Sequence, residues 1–173
     1  MDDALRQLAS EVGTALRNTG AVLVTAESCT GGGVARAITA VPGSSAWFDS
    51  GFVTYSNASK QRMLGVSAGT LATHGAVSEA VALEMARGAL HASGATAALS
   101  VTGIAGPDGA VAGKPVGTVC FGWALADGTQ RCETRHFGGD RDAVREQSVR
   151  HTLAVLKALL RAQPGNPVAK TVP

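Results

Sequence analysis

Two stretches concentrate the side chains able to carry out a reaction. TAESCTGGG, at 25–33, places Glu27, Ser28 and Cys29 directly after an apolar run and ahead of three glycines. PGSSAWFDSGFVTYSNASK, at 42–60, supplies Ser44 and Ser45 in a turn, then Tyr55 and Lys60. A serine hydroxyl is a poor nucleophile until a neighbour takes its proton. The four histidines, at 74, 91, 136 and 151, are isolated and lack paired metal-ligand spacing, so no metal site is expected. Lysine is then the remaining candidate base, and it acts only as the neutral amine. Lowering a lysine pKa from about 10.4 to about 7 takes roughly 4–5 kcal/mol of preference against the charged form. Burial of Lys60 beside Phe52 and other apolar neighbours would supply it. From spacing alone the opposite reading stands beside this one: a solvated lysine and serines that only make a turn.

The other polar candidates divide in the same way. Cys29 near a helix start would have a lowered thiol pKa, but a free cysteine serves equally as a small buried apolar residue. Glu27 at the same place would stabilise the helix dipole or fix a neighbouring hydroxyl or lysine. Thr30, Gly31 and Gly32 sit where a helix should begin, so their N–H groups suit a phosphate or carboxylate; a tight turn with close packing is the alternative. Thr102, Gly103 and Gly106 collect in a second polar, glycine-rich loop, TGIAGPDG. Arg141 lies in the first turn of the last helix, where a cation is disfavoured unless Asp140, Asp142 or a bound anion compensates it, and Arg145 follows one turn on. Familiar loop motifs do not fit. No lysine follows the glycines as in a Walker loop, and Ser28 is flanked two residues away by Ala26 and Thr30 rather than by the glycines of a nucleophile elbow.

The elements that must position these residues follow from periodicity. Leu5, Leu8, Val12, Ala15 and Leu16 mark a first helix ending near Asn18–Gly20. AVLVTA (21–26) reads as a buried strand, with a helix from near Thr30 to Ala40. SGFVTYS (50–56) reads as a strand and NASKQRML as a short helix, and Ser78 caps the helix after it. TAALSVT (96–102) is a second buried strand. VGTVCFGWAL and TQRCETRHF flank Asp127-Gly128, a strong hairpin signal. The last helix starts at Gly139-Asp140, with Val144, Ser148, His151, Val155 and Leu159 on one face. This pattern predicts an α/β fold, a three-layer α/β/α sandwich around a mostly buried mixed sheet that includes one hairpin. It also predicts one domain over 1–161 and a loose tail over 162–173. Both candidate loops fall beyond the carboxyl ends of strands, the usual edge for a ligand crevice.

Bulk properties narrow the function. At 173 residues the chain is long enough to bury a core, and 45% hydrophobic with 16% charged residues excludes disorder. A net charge of +2 with scattered basic residues argues against nucleic acid, and the short apolar runs argue against a membrane span. An acidic start and three cysteines without a CxxC pair fit the reducing cytoplasm. Only 4% of residues are aromatic while Gly, Ala and Val abound, which predicts close helix-on-sheet packing through small residues.

TAESCTGG, GSSAWFDSGFVTYSNASK, GAVSE, SVTGIAGPDG with KPVGTV, and FGGDRDAVR occur in order and together resemble the CinA C-terminal domain family. The resemblance runs from about residue 4 to 160 and is nearest to the stand-alone nicotinamide-nucleotide amidases. It implies hydrolysis of nicotinamide mononucleotide (NMN) to nicotinic acid mononucleotide and ammonia in pyridine nucleotide recycling. It also implies an α/β/α sandwich, no metal or other cofactor, and a homo-oligomer. Carried over, the serine–lysine machinery falls on Ser45 as nucleophile and Lys60 as base. Ser28 would relay the proton, and Tyr55 would help to form the site. Backbone N–H groups of the GSS turn or the glycine loop would serve the oxyanion. Ser44, Thr30–Gly32, Thr102, Gly103, Gly106, Arg141 and Arg145 would bind substrate. A non-catalytic nucleotide-binding module and an amidase for another small amide are the alternatives.

Overall fold

The computed structural model describes residues 2–163. Its elements run α1 (Asp3–Thr19), β1 (Leu23–Glu27), α2 (Gly33–Thr39), β2 (Phe48–Val53), α3 (Asn57–Leu64), α4 (Ala68–His74), α5 (Glu79–His91), β3 (Ala97–Gly103), β4 (Thr118–Leu125), β5 (Gln130–His136) and α6 (Arg141–Arg161). The helix ends are written in the sequence. Asp2 accepts from Leu5 N–H to start α1, and Gly20 closes it in the left-handed region. Ser56 and Ser59 make a reciprocal capping box for α3. Ser78 starts α5 and Asp140 starts α6.

The strands form one sheet in the order β2-β1-β3-β4-β5. β1 pairs in parallel with β2 and β3, while β3–β4 and β4–β5 are antiparallel, the latter joined by the Asp127-Gly128 hairpin. Alternation along the strands separates two cores. Leu23, Leu99, Phe121 and Trp123 pack with α1, α2 and α6 on one face. Val24, Ala26, Ala98 and Ala124 pack with Val81 and Met85 of α5 and Leu64 of α3 on the other, smaller face. The three-layer sandwich expected from the sequence is the observed one. Contacts between layers use small residues as anticipated: a Cβ on Gly122 of β4 would lie 2.5 Å from the Ala82 carbonyl oxygen of α5.

Three details differ from the sequence reading. α4 has no buried residue and thus no apolar stripe to announce it. The buried face of α6 is Val144, Ser148, Val149, Thr152, Leu153, Leu156 and Leu160, a partial rotation that keeps the expected Val144 and Ser148 and leaves His151, Val155 and Leu159 half-buried at its margin. Thr152 accounts for the rotation: it is fully buried, and its carbonyl accepts from Trp123 Nε1 at 3.1 Å, a contact that hydrophobic periodicity does not register. The segment Ser44–Ala46 forms a single 3-10 turn rather than a simple bend. Of the expected tail, residues 164–173 lie outside the described residues.

Candidate active site

β1, β2 and β3 run parallel, so their carboxyl ends share one edge of the sheet, and the chain delivers a different group there from each. Ser28 follows β1 directly. Its N–H donates to Val101 O at 2.9 Å, which fixes the backbone against β3. Thr54 and Tyr55 follow β2, and Lys60 returns from the next turn of chain on α3.

Lys60 is the centre of this arrangement. Its residue is 1% exposed, and its ammonium nitrogen donates to Ser28 Oγ at 3.0 Å and to Thr54 O at 2.7 Å. Burial lowers its pKa from the ordinary lysine value of 10.5, and no carboxylate contributes to restoring it. Ser28 is buried apart from 8% of its surface. Serine and amine therefore meet in a dry setting in which the amine gives up its proton more readily than in water. The sequence reading of Lys60 as a solvated surface residue is excluded.

Cys29 is a packing residue. Burial pushes its thiol up to about 12, so a helix-activated thiolate does not form. Glu27 is fully buried, and its role resolves into geometry. Oε2 accepts from Gly32 N–H and Val34 N–H, both at 3.0 Å, and Oε1 accepts from Ala35 N–H at 2.8 Å. These are the amides of the α2 start, whose N-cap Gly32 has no side chain to satisfy them. Gly31 and Gly32, at φ 59 and 91, take the left-handed conformations that bring the chain round to the carboxylate. Of the Thr30–Gly32 amides expected to bind an anion, Gly32 N–H is thus taken by the protein's own carboxylate and Gly31 N–H by Ser28 O at 3.0 Å. Thr30 Oγ1 and Thr54 Oγ1 remain buried without a partner among the described residues.

At the crevice margin, Arg141 bridges two loops. Nη1 donates to Gly106 O at 2.7 Å and Nη2 to Tyr55 Oη at 2.8 Å. Tyr55 is 62% exposed, so this guanidinium–phenol pair lies at the mouth rather than in the interior. Arg145 Nη2 donates to Thr30 O at 3.1 Å and buttresses the glycine turn. Thr102 Oγ1 donates to Ala76 O at 2.9 Å and is committed to structure, while Gly103 ends β3 against Val119 of β4. A cavity of about 180 Å³ between α1, α2 and α6 is lined by Thr30, Arg36, Arg145 and Val149. It lies behind the turn that carries Ser28, and neither Ser28 nor Lys60 lines it.

Ser44 and Ser45 are placed elsewhere. They precede β2, and Trp47 O accepts from Leu23 N–H at the first residue of β1. That is the amino edge of the sheet, the length of β2 away from Lys60, roughly 17 Å at ~3.3 Å per residue. Ser45 is exposed there, and Ser44 is buried beside Trp47. Within one chain, then, Ser45 does not meet Lys60 or Ser28. Nearness in sequence is misleading because β2 carries the chain across the whole sheet between them. The sequence reading also missed Thr54, whose contribution is a carbonyl and leaves no side-chain signal.

A family model of the CinA C-terminal domain matches residues 5–160. The nicotinamide-nucleotide amidohydrolase PncC of Escherichia coli (strain K12) is 56% identical over 155 residues, covering 90% of this chain and 94% of that protein. The protein of the same name from Pseudomonas putida is 53% identical over 160 residues, covering 92% and 97%. Among solved structures, the competence/damage inducible protein CihA from Agrobacterium tumefaciens is similar with a TM-score of 0.89 at 45% identity, covering 92% of this chain and 97% of that one. The motifs, the sheet order and these relatives agree: the chain belongs to the CinA C-terminal domain family.

Proposed function

We propose that this chain is a nicotinamide-nucleotide amidase that hydrolyses the carboxamide of NMN to the carboxylate and ammonia, with Ser28 as nucleophile and Lys60 as base. The single observation that carries the assignment is the contact between Lys60 Nζ and Ser28 Oγ at 3.0 Å. As a neutral amine, Lys60 keeps one N–H on Thr54 O and turns its lone pair to the Ser28 hydroxyl. Ser28 Oγ attacks the carboxamide carbon while Lys60 takes its proton. Lys60 returns that proton to the leaving nitrogen as the C–N bond breaks, which releases ammonia and leaves an ester on Ser28. Water then attacks the ester, Lys60 again accepting and returning the proton, and nicotinic acid mononucleotide departs. Arg141 and Tyr55 at the mouth suit the nucleotide phosphate, since a guanidinium pairs with phosphate through two parallel N–H donors. The amidase names of relatives above 50% identity support the substrate. A place in pyridine nucleotide recycling, in the cytoplasm and as a homo-oligomer, belongs to the same reading.

The test is ammonia release from NMN by the purified chain and three variants. Ser28→Ala and Lys60→Ala are each expected to lose at least about a thousandfold in kcat, because each removes one half of a unit that works together. Ser45→Ala is expected to stay within a fewfold of wild type. Full activity in Ser28→Ala with loss in Ser45→Ala would return the nucleophile to the serine at the other end of β2.

A further inference from the structure

Glu27 is the one fully buried carboxylate of the chain's described residues, and the proton transfers above make no use of it. It makes no hydrogen bond to Ser28 or Lys60; its three contacts all go to amides of α2 and of the turn before it. What it fixes is the segment 28–32. This segment is pinned at its start by Ser28 N–H on Val101 O. Internally it has Gly31 N–H on Ser28 O at 3.0 Å and, just beyond, Gly33 N–H on Thr30 O at 3.1 Å. Its far end has no such tether to β1 except the Glu27 carboxylate. Between the two anchors, the N–H groups of Cys29 and Thr30 donate to no other described residue, although both residues are buried. Buried N–H groups are almost always paired. Two without such a partner directly after a serine stand where a serine-attacked amide places its developing oxyanion, and donors preset there stabilise it without rearrangement.

We propose that Glu27 is a positioning residue for the amide hydrolysis. Its carboxylate clamps the far end of the Ser28 turn onto α2 and so holds the Cys29 and Thr30 N–H groups as the oxyanion donors. This rests on the amidase reading with Ser28 as nucleophile. The charge arrangement is consistent with it. A carboxylate this near an oxyanion opposes catalysis unless its charge is dispersed, and three N–H groups at the positive end of α2 disperse it.

The experiment compares wild type, Glu27→Gln and Glu27→Asp in NMN turnover across pH, with circular dichroism to confirm folding. Gln is isosteric, but its amide turns a donor toward amide N–H groups that need an acceptor. Asp keeps the charge and falls one methylene short. The expected result is a fall in kcat of about a hundredfold for Glu27→Gln, the size of losing an oxyanion donor. KM is expected within about threefold, with the acid limb of the pH profile unmoved. Glu27→Asp should recover part of the loss and keeps the question open to measurement if the Gln variant does not fold. Four results overturn the proposal: unchanged kcat in both variants, a loss confined to KM, an acid limb displaced in Glu27→Gln, or no recovery in a folded Glu27→Asp. Wild type that releases no ammonia from NMN sinks the amidase reading together with the proposal. Active wild type with fully active variants removes only the role of Glu27.

Discussion

Lys60 is held in a condition that lysines in water do not reach. Burial lowers its pKa from 10.5, and its contacts are a hydroxyl and a carbonyl rather than an ion-pair partner. The direction has two consequences. In the proposed mechanism the reactive species is the neutral amine, so kcat/KM is expected to rise with pH through the lowered Lys60 pKa and then level off, an acid limb of slope one placed below 10.5. For stability, the unfolded chain keeps its lysine proton up to about 10.4 whereas the folded chain releases it earlier. Between those two points the unfolded state binds more protons, so stability rises with pH. The Lys60→Met variant should lose this rise, checked by denaturant midpoints at pH 7, 8.5 and 10. A wild-type midpoint that falls over that range, with no difference from the variant, would contradict the buried-amine picture.

At the scale of elements, the pair depends on how closely α5 holds α3. Gly88 of α5 faces the last residue of α3, and a Cβ there would lie 1.8 Å from Leu64 O and 2.7 Å from its carbonyl carbon. Backbone cannot give way as a side chain can. Gly88→Ala is therefore expected to push α3 outward at a cost of about 1–3 kcal/mol, roughly 3–10 °C in Tm for a chain of this length. Because α3 carries Lys60, kcat should fall as well, although residue 88 lies outside the site. Calorimetry and NMN turnover on the same preparation check both; an unchanged Tm would show that α5 and α3 are free to separate. This coupling also shows what the sequence could and could not reveal. Caps, the hairpin and the alternation of apolar strands with amphipathic helices are local, and they gave the layers and the carboxyl edge of the sheet. The meeting of Ser28 and Lys60 across the β1–α2–β2 crossover is not local, and the family resemblance places the nucleophile on Ser45, at the other end of β2. Glu27 carried a faint signal, a glycine at the N-cap of α2 that called for a cap from elsewhere.

For the molecule as a whole, the sheet divides the interior unequally. The larger core unites α1, α2 and α6 with every strand but β5. His151 of α6 fastens β5 to that side through Glu133, whose carboxylate also pairs with Arg131 and Arg135 of β5 itself; burial alone would raise that carboxyl, but the three hydrogen bonds hold it down at about 2. The smaller core lies under α3, α4 and α5, where α3 buries only Lys60 and Leu64 and α4 buries nothing. Regions with few buried apolar contacts open at lower free energy than the rest of a fold. Amide hydrogens of 57–74 should therefore exchange with deuterium well before those of β3 and α6. Each such opening lets water reach the Lys60 amine and returns it toward its ordinary basicity, so that it holds its proton more tightly. Heating should silence turnover several degrees before the near-ultraviolet signal of Trp123 is lost, and coincident curves would argue against this order. Warmth would thus switch the enzyme off reversibly through its thinner face while the sheet beneath stays folded.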